Sequence, residues 1–227
     1  MPFIILGVCL LVALIFIPQW WVKHVLRENQ REREDLGGTG AELARILLDQ
    51  AELRHVKVEL TEGGDHYDPG DETIRLSLPH HDGKSIAAIA VAAHEVSHAL
   101  QHAHGDRTFE LRQKLAPTVI WIERTAQIVF FAIPLLGVFA RSPALIAAQV
   151  GLVVILMASR LAMHVVTLPV ELDASFKRAL PILEAGQFLP ENDMPAARKV
   201  LKAAAFTYIS AALVSLIDVT RLIRVLR

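Results

Sequence analysis

Long apolar runs dominate this chain and restrict it to folds that bury them in lipid or in a large core. From Pro2 to Pro18 the sequence is almost unbroken Phe, Ile, Leu, Val and Ala, followed by Trp20 and Trp21 and then by Lys23, Arg27, Arg31 and Arg33. A stretch of that length just crosses a bilayer, tryptophans suit the headgroup layer, and following cations favour the cytoplasmic side. A cleaved secretory signal fits less well, because Met1-Pro2-Phe3 has no basic start and no small-x-small cleavage site follows.

Two further apolar stretches, about 126–140 and 144–162, are joined by Arg141, Ser142 and Pro143 and read as a membrane hairpin. Extending the first back to Val119 and Trp121 would bring Glu123 and Arg124 near an interface. A fourth stretch, 203–217, is short, carries Thr207, Tyr208, Ser210 and Ser215, and runs into Arg221, Arg224 and Arg227. As a span it would place those arginines outside, against the positive-inside tendency, so it either crosses, lies along the interface or re-enters. Of the 227 residues, 53% are hydrophobic, an excess over soluble domains, and the net charge of −1 gives no reason to expect nucleic acid as a partner. The single cysteine, Cys9, lies in the first apolar run and suggests no thiol chemistry.

Between Glu28 and about Leu115 the composition is that of a soluble domain. Thr39-Gly40-Ala41-Glu42 has capping-box spacing, and Leu43, Ile46 and Leu47 continue it as a short amphipathic helix. Val56, Val58 and Leu60 alternate with charged residues, Asp68-Pro69-Gly70-Asp71 turns, and Thr73 to Ser77 alternates again, giving a sheet of two or three strands. After Asp82-Gly83-Lys84-Ser85, the Ala-rich run from Ile86 to Gln101 lacks Gly and Pro and reads as a buried helix.

That helix carries His94-Glu95-Val96-Ser97-His98. Two imidazoles four residues apart share one helix face and can grip one tetrahedral zinc ion. Glu95 projects about 100 degrees away, where it misses the metal but reaches a zinc-bound water as general base. Without such partners, two histidines and a glutamate in an apolar helix would carry a desolvation cost.

A catalytic zinc needs a third protein ligand. His104 has the spacing of a third histidine, but Gln101 occupies the place of the glycine such a turn uses. His102 continues the face of His98, yet one straight helix does not easily offer three ligands. His80 and His81 read as solvated loop residues. Glu171, after Pro169, stands where a new helix could start.

The chain resembles the YugP-like neutral zinc metallopeptidases, a bacterial membrane-protein family related in motif to HtpX and the CAAX-processing proteases. The resemblance covers nearly the whole chain: Gly40-Ala41-Glu42, Asp65-His66-Tyr67-Asp68-Pro69, Ala92 to Ala99, Leu168-Pro169-Val170-Glu171 and Lys199 to Ala205. Ser97 stands where the family's HEVGH form has glycine. The resemblance implies Glu171 as third ligand, from an E-x-x-A-D motif in which Ser175 replaces the aspartate and Asp173 could serve as outer-shell partner. It implies a mainly α fold with a small β-sheet, a zincin-like metallopeptidase core combined with three or four membrane helices. The expected product is a multi-pass protease of the bacterial inner membrane, its site at the cytoplasmic face, acting through Glu95 on peptide or protein substrates.

The corresponding divisions are an anchor at 1–22, a catalytic segment at 23–115, a hairpin at 116–165, and a third-ligand and C-terminal segment at 166–227. Zincin-like folds hold substrate on an edge strand, and Thr73 to Ser77 is the expected one. Tyr208 and Arg198 are candidates for stabilising the oxyanion, with an interfacial tyrosine and a surface arginine as the plainer readings, while His164 reads as interfacial. A zinc-stabilised membrane scaffold or adaptor with little turnover, or a hydrolase acting on lipid, would use the same motif.

Overall fold

A computed structural model describes residue 17, residues 20–137 and residues 143–206. Cys9, Tyr208, the C-terminal arginines and most of the expected N-terminal anchor and fourth apolar stretch lie outside the described residues.

Local signals in the chain account for where most elements begin. Helix α1 covers residues 20–29. Helix α2, Gly40–Gln50, opens on the expected capping box: the Thr39 side chain accepts from the Glu42 amide, and the Glu42 carboxylate accepts from the Thr39 amide. Strands β1 (Lys57–Thr61), β2 (His66–Asp68) and β3 (Thr73–Ser77) form one sheet in the order β1-β3-β2. β1 runs parallel to β3, and β2 runs antiparallel to it with Tyr67 opposite Ile74. The Asp68 side chain accepts from the Gly70 amide at 2.8 Å and closes the turn between β2 and β3.

This order corrects one expectation. The strand Thr73–Ser77 is central, paired to β1 along its whole length and to β2 over Thr73 to Arg75, so it is not the edge of the sheet. Its burial agrees: Thr73, Ile74 and Leu76 are all buried rather than alternating. The edge near the later helices is β2, a strand too short to announce itself by periodicity.

A short helix α3, Leu78–His81, leads into α4, Ile86–Ala103, whose N-terminus is capped by the Ser85 hydroxyl accepting from the Ala88 amide. Most of α4 is buried, and alanines at 87, 88, 90, 92 and 93 let neighbouring backbones approach closely. Closest of all is α2. A Cβ on Gly40 would stand 2.1 Å from the His80 carbonyl oxygen and 2.9 Å from that of Ala88.

Two long helices follow, α5 (Arg107–Gly137) and α6 (Pro143–Leu172), packed against each other. Glu123 pairs with Arg160 across them at 2.6 Å. No new helix begins after Pro169. Instead α6 runs through that proline to Leu172 and passes into a π-helical segment, Asp173–Ala179, then α7, Leu180–Gly186. After a turn of 3-10 helix at Glu191–Asp193, helix α8 covers residues 194–206. The fold is mainly helical with one small three-stranded sheet. Three or four membrane helices were expected; among the described residues one helical run, Val154–Gly186, is long and apolar enough to cross a bilayer.

Candidate metal centre

Helix α4 presents His94 and His98 one turn apart on the face that meets the end of α6, and the π segment closes the other side. The two rings lie 4.7 Å apart at 80° to each other. His94 Nε2 stands 3.2 Å and His98 Nε2 3.5 Å from the same Glu171 oxygen, Oε2. One ligand atom from each residue lies within 4.8 Å of the others, and all three residues are buried.

The donor set fits zinc: two imidazole nitrogens and a carboxylate oxygen, the combination of catalytic sites that keep one position open. Glu171 Oε2 takes both imidazoles, while the buried Oε1 has no hydrogen-bond partner and is ion-paired with Arg112 Nη1 at 3.5 Å.

The remaining ring nitrogens are also engaged. Ser175 Oγ lies 3.2 Å from His94 Nδ1, and Gln101 Oε1 lies 2.9 Å from His98 Nδ1. Asp173 contacts neither histidine. Its carboxylate accepts from Gln101 Nε2 at 3.0 Å and from Arg178 Nε at 2.7 Å. Asp173 and Arg178, five residues apart, would stand about 140 degrees apart around an α-helix; the wider π turn brings them together.

Glu95 lines a cavity of about 220 Å³ together with the three ligand candidates. Burial is the main cause that pushes its carboxyl up to about 7, and the negative charges of Glu171 and Asp65 add to it against the opposing effect of His94.

One of the other candidate residues departs from its expected setting. His80 is buried, not solvated: Asp65 Oδ2 holds its Nδ1 at 2.7 Å, Gln30 approaches its Nε2, and both His80 and Asp65 line the cavity. Three partners, His80 and the amide and hydroxyl of Ser77, hold Asp65 below the usual carboxylate range even though burial pushes the other way. His81 sits beside Asp82. His102 meets the Tyr67 hydroxyl at 2.9 Å, and the exposed His104 meets Arg178. His164 is half-buried on α6, apart from the ligand group. Arg198 is exposed, pairs with Glu184 and does not line the cavity; α8 contributes Val200, Leu201 and Ala204 instead.

Arg112 and Gln101 were not singled out from sequence as parts of a site, whereas His66 and Tyr67 read as lining the cleft or shaping a turn, and both line the cavity. Only the family-like segment Asp65 to Pro69 signalled any of them, and the structure folds that segment over the metal cavity as β2.

The family model described as "Putative neutral zinc metallopeptidase" matches residues 3–227. The chain belongs to this family. It is also 39% identical, over 99% of its own length and 96% of the relative's, to the "Putative membrane protease YugP" of Bacillus subtilis (strain 168). No solved structure matches the chain. Membership supports a protease role with zinc as cofactor, and His94, His98 and Glu171 are the group that could hold it.

Proposed function

We propose that the chain is a membrane-embedded endopeptidase in which His94, His98 and Glu171 hold zinc and Glu95 is the general base, with the gluzincin arrangement of ligands. The observation that carries this reading is the convergence of both Nε2 atoms on one oxygen of a buried glutamate, beside a cavity lined by Glu95. Zinc bound there supplies the Lewis acidity that polarises a peptide carbonyl and acidifies water.

The chain's own groups do the rest. Glu95 takes a proton from the attacking water and returns it to the leaving amine, from its place on the wall of the cavity beside the three ligand candidates. Ser175 and Gln101 orient the two imidazoles. β2 is the edge strand from which His66 and Tyr67 line the cavity, so a peptide paired along it runs across Glu95. The membrane-protease description of the B. subtilis relative supports anchorage in the bilayer, which this reading assigns to a hairpin at 116–165; the apolar run Val154–Gly186 begins in its second arm and continues into the site. With the anchor at 1–22, catalytic residues from 23–115 and 166–227 then face one compartment, and the cations after Trp21 favour the cytoplasmic side of a bacterial inner membrane. Substrates in this reading are exposed segments of membrane or membrane-proximal proteins.

Glu95→Gln tests the mechanism. The variant should retain about one zinc per chain by elemental analysis and lose about 10²–10⁴-fold in cleavage of an unfolded protein substrate. Cleavage at the wild-type rate would remove Glu95 from the mechanism.

A further inference from the structure

Gln101 is fully buried on α4, and its amide joins three groups. Nε2 lies 2.9 Å from the Val170 carbonyl oxygen and 3.0 Å from Asp173 Oδ2, while Oε1 lies 2.9 Å from His98 Nδ1. A carbonyl and a carboxylate only accept, so the atom facing them is the NH₂, and both its hydrogens are used. Turning the amide over would set its oxygen against two acceptors. Asp173 is itself fixed by Arg178, which also reaches Asp106 at 3.4 Å, so the amide is anchored on an ion-paired carboxylate.

This orientation dictates the state of the histidine. Oε1 can only accept, hence Nδ1 of His98 carries the hydrogen. The lone pair of the neutral ring then sits on Nε2, the atom that faces Glu171. The same amide grips the carbonyl of Val170, the residue immediately before Glu171, so one side chain on α4 is tied to ligand candidates on both helices.

We propose that Gln101 is a positioning residue that fixes His98 in its Nδ1–H tautomer and locks the His98 turn of α4 to the Glu171 turn of α6. It thereby preorganises two of the three zinc ligands. The inference rests on the zinc peptidase reading and adds a requirement to it: the glutamine amide must both accept from a ligand and donate to the backbone beside another. An apolar side chain of similar size fills the space and meets neither condition.

The test uses the full zinc-loaded chain in detergent micelles with ¹⁵N-labelled histidine, the His98 signals being identified by their loss in His98→Gln. Long-range ¹H–¹⁵N spectra should show the His98 proton on Nδ1, slow to exchange. In Gln101→Leu that proton should exchange faster, and the zinc dissociation constant from chelator competition should rise about 10–100-fold. A His98 proton on Nε2 overturns the proposal, as does a folded Gln101→Leu chain that binds zinc as tightly as wild type. Should Gln101→Leu fail to fold, Gln101→Met replaces it in both measurements with the same outcomes, because zinc on Nε2 by itself leaves the wild-type proton on Nδ1. A wild-type chain that takes up no zinc overturns the peptidase reading itself, a result distinct from either of these.

Discussion

A methyl group at Gly40 would sit 2.1 Å from the His80 carbonyl oxygen, and backbone cannot yield there as a flexible side chain could. His80 in turn is bound to Asp65, and both line the metal cavity, so the contact between α2 and the α3 segment reaches the site. Gly40→Ala should cost about 1–3 kcal/mol by denaturant unfolding, the usual penalty of overpacking, and should weaken zinc binding as well. Unchanged stability would mean that the two backbones do not meet so closely. At this scale the sequence was uneven. His94, Glu95 and His98 were legible because four-residue spacing on a helix fixes their shared face without any tertiary information. His80 was not, because its burial comes from Asp65 and Gln30, which meet it only after the sheet and α1 are in place. Gln101 read only as a misplaced glycine, since its partners lie on a helix far along the chain.

Elements with continuous patterns were read with their bounds nearly intact. β3 and α4 fall where alternation and an uninterrupted alanine-rich run placed them, and the capping box of α2 forms as spaced. β2, three residues long, and the π segment lack a periodic signature, and the order of the sheet depends on pairings no local pattern encodes. The π segment matters for the site because its wide turn sets Ser175 against His94 while Asp173 still meets Gln101. The hairpin of α5 and α6 makes its own prediction. Ile128, Val154 and Ile155 are exposed apolar side chains of its two helices. Ile155→Arg places a charge worth about 2.5–3.5 kcal/mol of insertion free energy at that position. A larger share of the variant than of wild type should wash from membranes at alkaline pH, and equal retention of the two would count against a lipid-embedded hairpin.

For the whole molecule, the metal centre acts as a tie between distant parts of the chain. The ligand candidates come from α4 and from the end of α6, separated by the entire hairpin, and the cavity between them is closed by β2, α1 and α8. Zinc binding only the folded form stabilises it by mass action, by about 4 kcal/mol at a thousandfold excess over the dissociation constant. Chelation should therefore lower the melting temperature, and added zinc should restore it. Glu171→Gln, which weakens the carboxylate donor, should shrink that shift by an amount that follows the logarithm of its lost affinity. Membership of a zinc metallopeptidase family agrees with such a centre, and the match to the B. subtilis relative covers 99% of the chain. The most direct measurement is anomalous scattering at the zinc edge from crystals of the full chain. One peak is predicted about 2.0–2.2 Å from His94 Nε2, His98 Nε2 and a Glu171 carboxylate oxygen, with a fourth position free of protein. A peak bound instead by His102 or His104, or a fourth protein ligand closing the site, would contradict the account.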